Sequence, residues 1–150
     1  MAKKDLFFLK EDFIILRDAV KELEDKIIKL GKEQGIAAAQ STENFGHDDA
    51  CQEVIYDERR VVISRLNEMR PIFNHAKIIT PIPPSDKVRF GSIVELSNGR
   101  TYQIGSYFIL AHHTTKNISY NSPLGQKLIS KEVGDEVVHN GTIITIISVK

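Results

Sequence analysis

Several things are scarce in this chain. Of its 150 residues one is cysteine, two are methionine and none is tryptophan. A single thiol, Cys51, forms no internal disulfide and excludes any zinc site built on two or more cysteines. No apolar run approaches the roughly 18–20 residues of a helical membrane span. Leu6-Phe7-Phe8-Leu9 is interrupted at once by Lys10, Glu11 and Asp12, which is too short for a signal-peptide core. Surplus charge is also missing, with 20 Lys+Arg against 20 Asp+Glu. That balance excludes a uniformly basic nucleic-acid coat protein and a supercharged acidic tail. What is present is 41% hydrophobic and 27% charged residues, which is not the composition of a disordered chain. The expectation is a cytoplasmic protein with no membrane partner.

Proline divides the chain. Residues 1–80 hold Pro71 alone, and then Pro81-Ile82-Pro83-Pro84 follow in a cluster. Prolines at that density stiffen an extended connection. The expected division is a first domain at 1–80, a Pro-rich linker at 81–87 and a second domain at 88–150.

The first part has helical periodicity. Leu9, Phe13, Leu16, Val20, Leu23, Ile27 and Leu30 step by 4 and 3 in turn, an unbroken heptad seam. Ile14, Ile15 and Ile28 widen the apolar stripe. The spacing predicts a helix from about Leu6 to Ala38. Val62, Leu66, Met69, Phe73 and Ala76 repeat the same steps, and the seam projects back through Arg59 to Ile55. Gln40 to His47 reads as a turn, so the two helices should form an antiparallel coiled-coil hairpin. Pro71 should kink the second helix near its base. Arg59, on the projected seam, is expected to pair with an acid of the first helix.

The second part reads as strands. Ser92 to Leu96, Thr101 to Leu110, Glu136 to His139 and Thr142 to Val149 are β-branched or aromatic runs. Asn98-Gly99 and Asn140-Gly141 are hairpin turns. Ser122 is placed to cap a short helix through Ile129, with Pro123 at its first position. The fold class is therefore α+β: a long helical hairpin, then a small, mostly antiparallel sheet domain with one short helix.

Charge is unevenly placed. From Glu33 to Glu58 there is no Lys or Arg, while Glu33, Glu43, Asp48, Asp49, Glu53, Asp57 and Glu58 all fall there. The far end of the hairpin is thus an acidic tip at about 43–49. Carboxylates at a helix start also complement the macrodipole without any further role. On a thin lever they suit a second purpose, as hard oxygen ligands for Mg²⁺ in a narrow site.

One long stretch resembles a known signature. Ile118-Ser119-Tyr120-Asn121-Ser122-Pro123-Leu124-Gly125-Gln126-Lys127-Leu128-Ile129-Ser130-Lys131-Glu132-Val133-Gly134-Asp135-Glu136-Val137 is similar to the C-terminal signature of the Gre family of bacterial transcript cleavage factors. Phe90-Gly91-Ser92-Ile93-Val94 resembles the family's F-G-S-x-V. The resemblance implies an FKBP-like second domain that docks on bacterial RNA polymerase, with Ser122, Pro123, Leu124 and Gly125 near the contact. It implies a coiled coil inserted into the secondary channel towards the nascent RNA 3′ end. There, tip acids would assist the Mg²⁺ of the polymerase in cleaving backtracked RNA. The factor would be no enzyme, would carry no cofactor of its own and is expected as a monomer. The candidate tip residues are Asp48, Asp49 and Glu43.

The tip departs from the family pattern, which is approximately D-x-x-E-N-A-E-Y. Here Phe45-Gly46-His47-Asp48-Asp49-Ala50-Cys51-Gln52 stands at those positions. Cleavage stimulation leads, and a non-cleaving channel-binding regulator or inhibitor stays open beside it. The apolar Tyr107-Phe108-Ile109-Leu110-Ala111-His112-His113 also stands where the family often has acids.

Other signals have simpler readings. His47 beside Asp48 and Asp49 fits a polar turn better than a metal cluster. His112 and His113, read as strand neighbours, would point to opposite faces and are expected as surface histidines. Cys51 lies among acids, which disfavour its thiolate, and it reads as helix packing. Arg59, Arg60, Arg65 and Arg70 fit a mixed-charge coiled-coil flank. No Gly-rich phosphate loop, nucleophile elbow or His-x-x-x-His motif occurs. Two more remote readings are a prolyl isomerase or chaperone, from the FKBP-like fold, and a dimerising coiled-coil module.

Overall fold

The computed structural model describes residues 4–41, 48–80 and 85–150, with backbone only for 37–41 and 48–52. Its elements in order are β1 (Leu6–Phe8), α1 (Lys10–Ser41), α2 (Asp48–Asn74), β2 (Ala76–Ile78), β3 (Ile93–Leu96), β4 (Thr101–Gly105), β5 (Asn117–Ser119), α3 (Pro123–Leu128), β6 (Glu136–His139) and β7 (Thr142–Val149). The chain forms two compact units. One comprises residues Met1–Ile15 with Ala76–Lys150, and the other is Leu16–His75. The helical unit thus begins at Leu16 and ends at His75, and residues 81–84 of the expected Pro-rich linker lie outside the described residues. Lys87, expected in the linker, already bridges to Glu132, and Val88 is buried in the sheet core.

The helical unit follows its seam. Leu16, Val20, Leu30, Val62 and Leu66 are buried, whereas Ile15 and Ile28 are exposed. The stripe is thus as narrow as a coiled-coil seam requires. Arg70 pairs with Glu24 at 3.0 Å and Arg59 meets Gln34, so α2 runs back along α1 in the opposite direction. Lys26 and Glu58 add an exposed pair at 2.9 Å, of small energetic weight. Pro71 lies inside α2, which continues past it to Asn74.

Two corrections concern the helix ends. Leu6 does not begin a helix, and Ala76 does not extend the second seam. Leu6–Phe8 and Ala76–Ile78 are instead short strands that pair in parallel, Leu6 with Ala76 and Phe8 with Ile78. The N–H of Ile79 adds a 2.9 Å bond to the Phe8 carbonyl. Phe8 is fully buried, and that burial holds the segment extended where heptad spacing alone continued the helix.

The main sheet has the order β5-β4-β3-β7-β6. All its pairs are antiparallel except β4 with β5. The inward residues Val94, Leu96, Tyr102, Ile104, Val137, Ile144 and Ile146 pack with Leu124 and Leu128 of α3 and with Val88. The β6–β7 turn has positive φ at both Asn140 (52°) and Gly141 (75°), the backbone that a two-residue hairpin of this twist demands. The returning strand from Thr101 stops at Gly105 rather than running to Leu110. His112 and His113 accordingly lie on a loop, not on a strand.

Two glycines give opposite expectations. A Cβ on Gly125 would lie 2.2 Å from the Ser119 carbonyl oxygen, a backbone atom that cannot swing aside. Gly125→Ala should cost about 1–3 kcal/mol or more. Gly35 is an exposed residue of α1 with nothing within 4 Å of such a Cβ. Gly35→Ala should leave stability unchanged or raise it by up to about 1 kcal/mol. Urea titrations of both variants, followed by circular dichroism, test the pair.

Candidate functional site

The Ser122–Gly125 motif builds a helix start. The Ser122 Oγ accepts a hydrogen bond from the Gly125 N–H at 3.0 Å and donates to the Ser119 carbonyl at 2.7 Å. Pro123 takes the first helical position, where no donor is needed, and Leu124 is buried. The motif is tied to the loop after β4, because the Ser119 Oγ donates to the Tyr107 carbonyl at 2.9 Å.

Beside it lies an aromatic cluster. The Tyr120 ring is 5.9 Å from Phe7, 5.9 Å from Phe90 and 6.4 Å from Tyr107, centroid to centroid. Its phenol oxygen accepts the Phe7 N–H at 3.1 Å. Burial pushes the phenol above its ordinary pKa, against the opposing effect of that bond. The Tyr107 N–H in turn donates to the Phe7 carbonyl at 2.9 Å, so β1 is held by this loop as well as by β2.

The tightest polar arrangement centres on Asp12, whose role the sequence did not suggest. Asp12 is fully buried in the first turn of α1. The Ser106 Oγ accepts the Leu9 N–H at 2.8 Å and donates to Asp12 Oδ2. Asp12 Oδ1 accepts the N–H groups of Leu110 at 2.8 Å and Ala111 at 2.7 Å. His113 Nε2 lies 3.2 Å from Oδ2. Burial alone would raise the carboxyl pKa, but the Ala111 N–H, the Ser106 hydroxyl, the Leu110 N–H and His113 together outweigh it. The group is held below the usual carboxylate range. A carboxylate near a helix start ordinarily reaches back to its own backbone. Here it reaches through Ser106 and fixes a loop nearly a hundred residues away in sequence. His113 is therefore no free surface histidine, whereas His112 is exposed.

The tip candidates are placed only in part. Asp48 and Asp49 open α2, with side chains outside the described residues. Glu43 and His47 lie outside the described residues, as does the side chain of Cys51. Among the described residues no group of three or more His, Cys, Asp or Glu side chains could hold a metal ion. No described helix is long and apolar enough to cross a membrane. The expected acid partner of Arg59 is replaced by an amide: Nη1 donates to the Gln34 Oε1 at 3.3 Å, and the guanidinium passes over Gly31. Gln34 occupies the next position of the first seam after Leu30, and a guanidinium needs an acceptor there, charged or not.

Comparison with known proteins gives this arrangement its class. Residues 83–150 match the family model described as transcription elongation factor, GreA/GreB, C-terminal. The transcription elongation factor GreA of Nitratiruptor is 33% identical over 129 residues, covering 80% of this chain and 73% of that protein. GreA of Pseudomonas aeruginosa is 29% identical, covering 82% and 80%. The chain belongs to the GreA/GreB family of transcription elongation factors. Factors of this family act on bacterial RNA polymerase, and the chain is an accessory factor rather than an enzyme. Among solved structures, GreA factor homolog 1 (Gfh1) of Thermus thermophilus aligns over 98% of this chain and 99% of that one, at 19% identity and a TM-score of 0.43.

The Asp12 geometry sets a pH dependence. A carboxyl whose pKa is depressed by folding binds fewer protons in the native state than in the unfolded chain. Its contribution is complete above the ordinary aspartate range and is lost as pH falls through the native value. Asp12→Asn should cost about 2–4 kcal/mol at pH 7, because two N–H donors and a hydroxyl lose a charged acceptor. The variant should also lose less further stability than the parent between pH 7 and pH 3. Urea titrations at the two pH values measure both effects.

Proposed function

We propose that the chain binds bacterial RNA polymerase through the sheet unit and places its helical hairpin in the secondary channel. There it stimulates cleavage of backtracked RNA. The reading rests on one observation above others. The hairpin pairs helices of 32 and 27 residues, and around the join it carries seven acids with no Lys or Arg. At about 1.5 Å per residue such helices are long enough to carry side chains far down a narrow passage. Asp48, Asp49 and Glu43 would supply carboxylate oxygens to the Mg²⁺ of the polymerase near the nascent RNA 3′ end. The site of action would be cytoplasmic.

A second reading has its own support. Phe45 stands where the family pattern has its first acid, and Asp48 is one methylene shorter than the Glu it replaces. A metal site that tolerates about half an ångström of misplacement is sensitive to that length. A hairpin that enters the channel without completing the site would slow the polymerase rather than rescue it.

One experiment separates the two. A stalled, backtracked elongation complex with 5′-labelled RNA is incubated with Mg²⁺ and the protein, or with an Asp48→Ala/Asp49→Ala variant. The expected result is RNA shortening by the parent, reduced about a hundredfold in the variant. Slowed nucleotide addition without shortening would replace cleavage with channel blocking. No effect on either would reject both.

A further inference from the structure

The seam of the helical unit buries apolar side chains along only part of its length. On α1 the last buried residue is Leu30, and on α2 the first is Val62. Among the described side chains between them, 31–36 and 53–61, none is buried. Ile36, Val54 and Tyr56 are 60%, 66% and 51% exposed. The other helical positions there, Ala37-Ala38-Ala39-Gln40-Ser41 and Asp48-Asp49-Ala50-Cys51-Gln52, offer only alanine and one cysteine as apolar residues. These distal turns therefore have little apolar area with which to offset the entropy of ordering them.

Three further features weaken the same stretch. Gly31 and Gly35 stand one turn apart inside α1, where glycine lowers helix stability more than any residue except proline. Packing requires neither of them. A Cβ on Gly35 would meet nothing within 4 Å, and one on Gly31 would sit at ordinary contact distance, 3.6 Å from the Arg59 Nη2. Next, the seam layer after Leu30 is Gln34 with Arg59, joined by one bond of 3.3 Å, and the Arg59 Nε is buried without an acceptor. Such a layer contributes less than an apolar pair. Lastly, the seven acids from Glu33 to Glu58 repel one another with no Lys or Arg among them. Lys26–Glu58 at 2.9 Å and Lys29–Glu33 at 3.9 Å oppose this, but both pairs are exposed and weak.

We propose that the turns of α1 after Leu30 and those of α2 before Val62 open and reclose as a separate segment, while the shaft from Leu16 to Leu30 stays packed on Val62 to Asn74. The Gln34–Arg59 layer and the two glycines set the boundary. The eleven residues from Gly31 to Ser41 fall below the roughly 12–15 at which an isolated helix is marginal in water even when rich in alanine. Neither stretch holds its helix without the other, so the two open together. Asp48 and Asp49 begin α2 and belong to this segment. The order of the acidic end is therefore governed by a local equilibrium and not by the stability of the whole fold. This behaviour belongs to the chain by itself and does not depend on the polymerase reading.

Native-state hydrogen exchange on the full chain, read by NMR at increasing sub-denaturing urea, tests this. Amides of residues 35–41 and 53–59 should be about a hundredfold less protected than those of 20–30 and 64–70, with a smaller urea dependence. Gly31→Ala/Gly35→Ala should raise the distal protection about tenfold or more and leave that of the shaft unchanged. Gln34→Leu/Arg59→Leu, which continues the apolar seam, should act in the same direction. A single protection level and a single urea dependence across both stretches would overturn the proposal, because the hairpin would then open only as a whole. Distal protection that neither variant changes overturns it too, since the glycines and the polar layer would not set the boundary. An equal rise in both stretches has the same consequence. Each of these failures leaves the polymerase function intact.

Discussion

A single buried carboxylate organises the sheet unit. Asp12 gains nothing from burial itself, because removing a charge from water is costly. It is stable there because the donors arrive already oriented: two consecutive backbone N–H groups, a serine hydroxyl and an imidazole. Those donors would otherwise need water, and the start of α1 would have its own donors to satisfy. One acceptor thus secures the loop and, through Ser106, the residue that precedes the helix. The aromatic cluster and the extended β1 segment then pack against a loop whose backbone is already set.

Much of the fold was legible because local signals and tertiary demands agreed. The heptad seams predicted the helices, and Asn140-Gly141 and Ser122-Pro123 predicted a turn and a cap that occur where expected. The failures share a cause. Leu6–Phe8 and Ala76–Ile78 are three-residue strands whose state is decided by partners about seventy residues away, so periodicity carried the helices through them. The run from Thr101 to Leu110 looked uniformly extended, but its second half is shaped by Asp12. An aspartate in a first helical turn is so common that nothing in its own neighbourhood announced a longer reach. The tip acids were legible as charge, whereas the distances that decide their chemistry depend on side chains beyond those described.

The helical unit shows a related division of labour. Its seam is apolar along most of its length, and Gln34 and Arg59 interrupt it near the acidic end. The Arg59 Nε is buried without a partner, so this layer adds less to stability than a leucine pair would. The sheet unit, by contrast, fills its centre with Val, Ile and Leu. The sheet unit thus holds an uninterrupted apolar core, while the helical unit carries the charge pattern on which the proposed chemistry depends.

The parallel pairing of β1 with β2 has a topological consequence. The chain leaves the sheet unit after Ile15, in the second turn of α1, and re-enters it at Ala76 in β2, which is the hydrogen-bonded neighbour of β1 about 4.8 Å away. The helical hairpin is therefore an excursion closed at its root, inserted into a domain whose own sequence is discontinuous. A backbone cut within the hairpin would leave both stubs anchored in the same body. Whole heptads can be added to or removed from the two helices together while the root stays in place. The length of the hairpin is thus a free variable of this architecture, adjustable without redesigning the domain into whose sequence it is inserted.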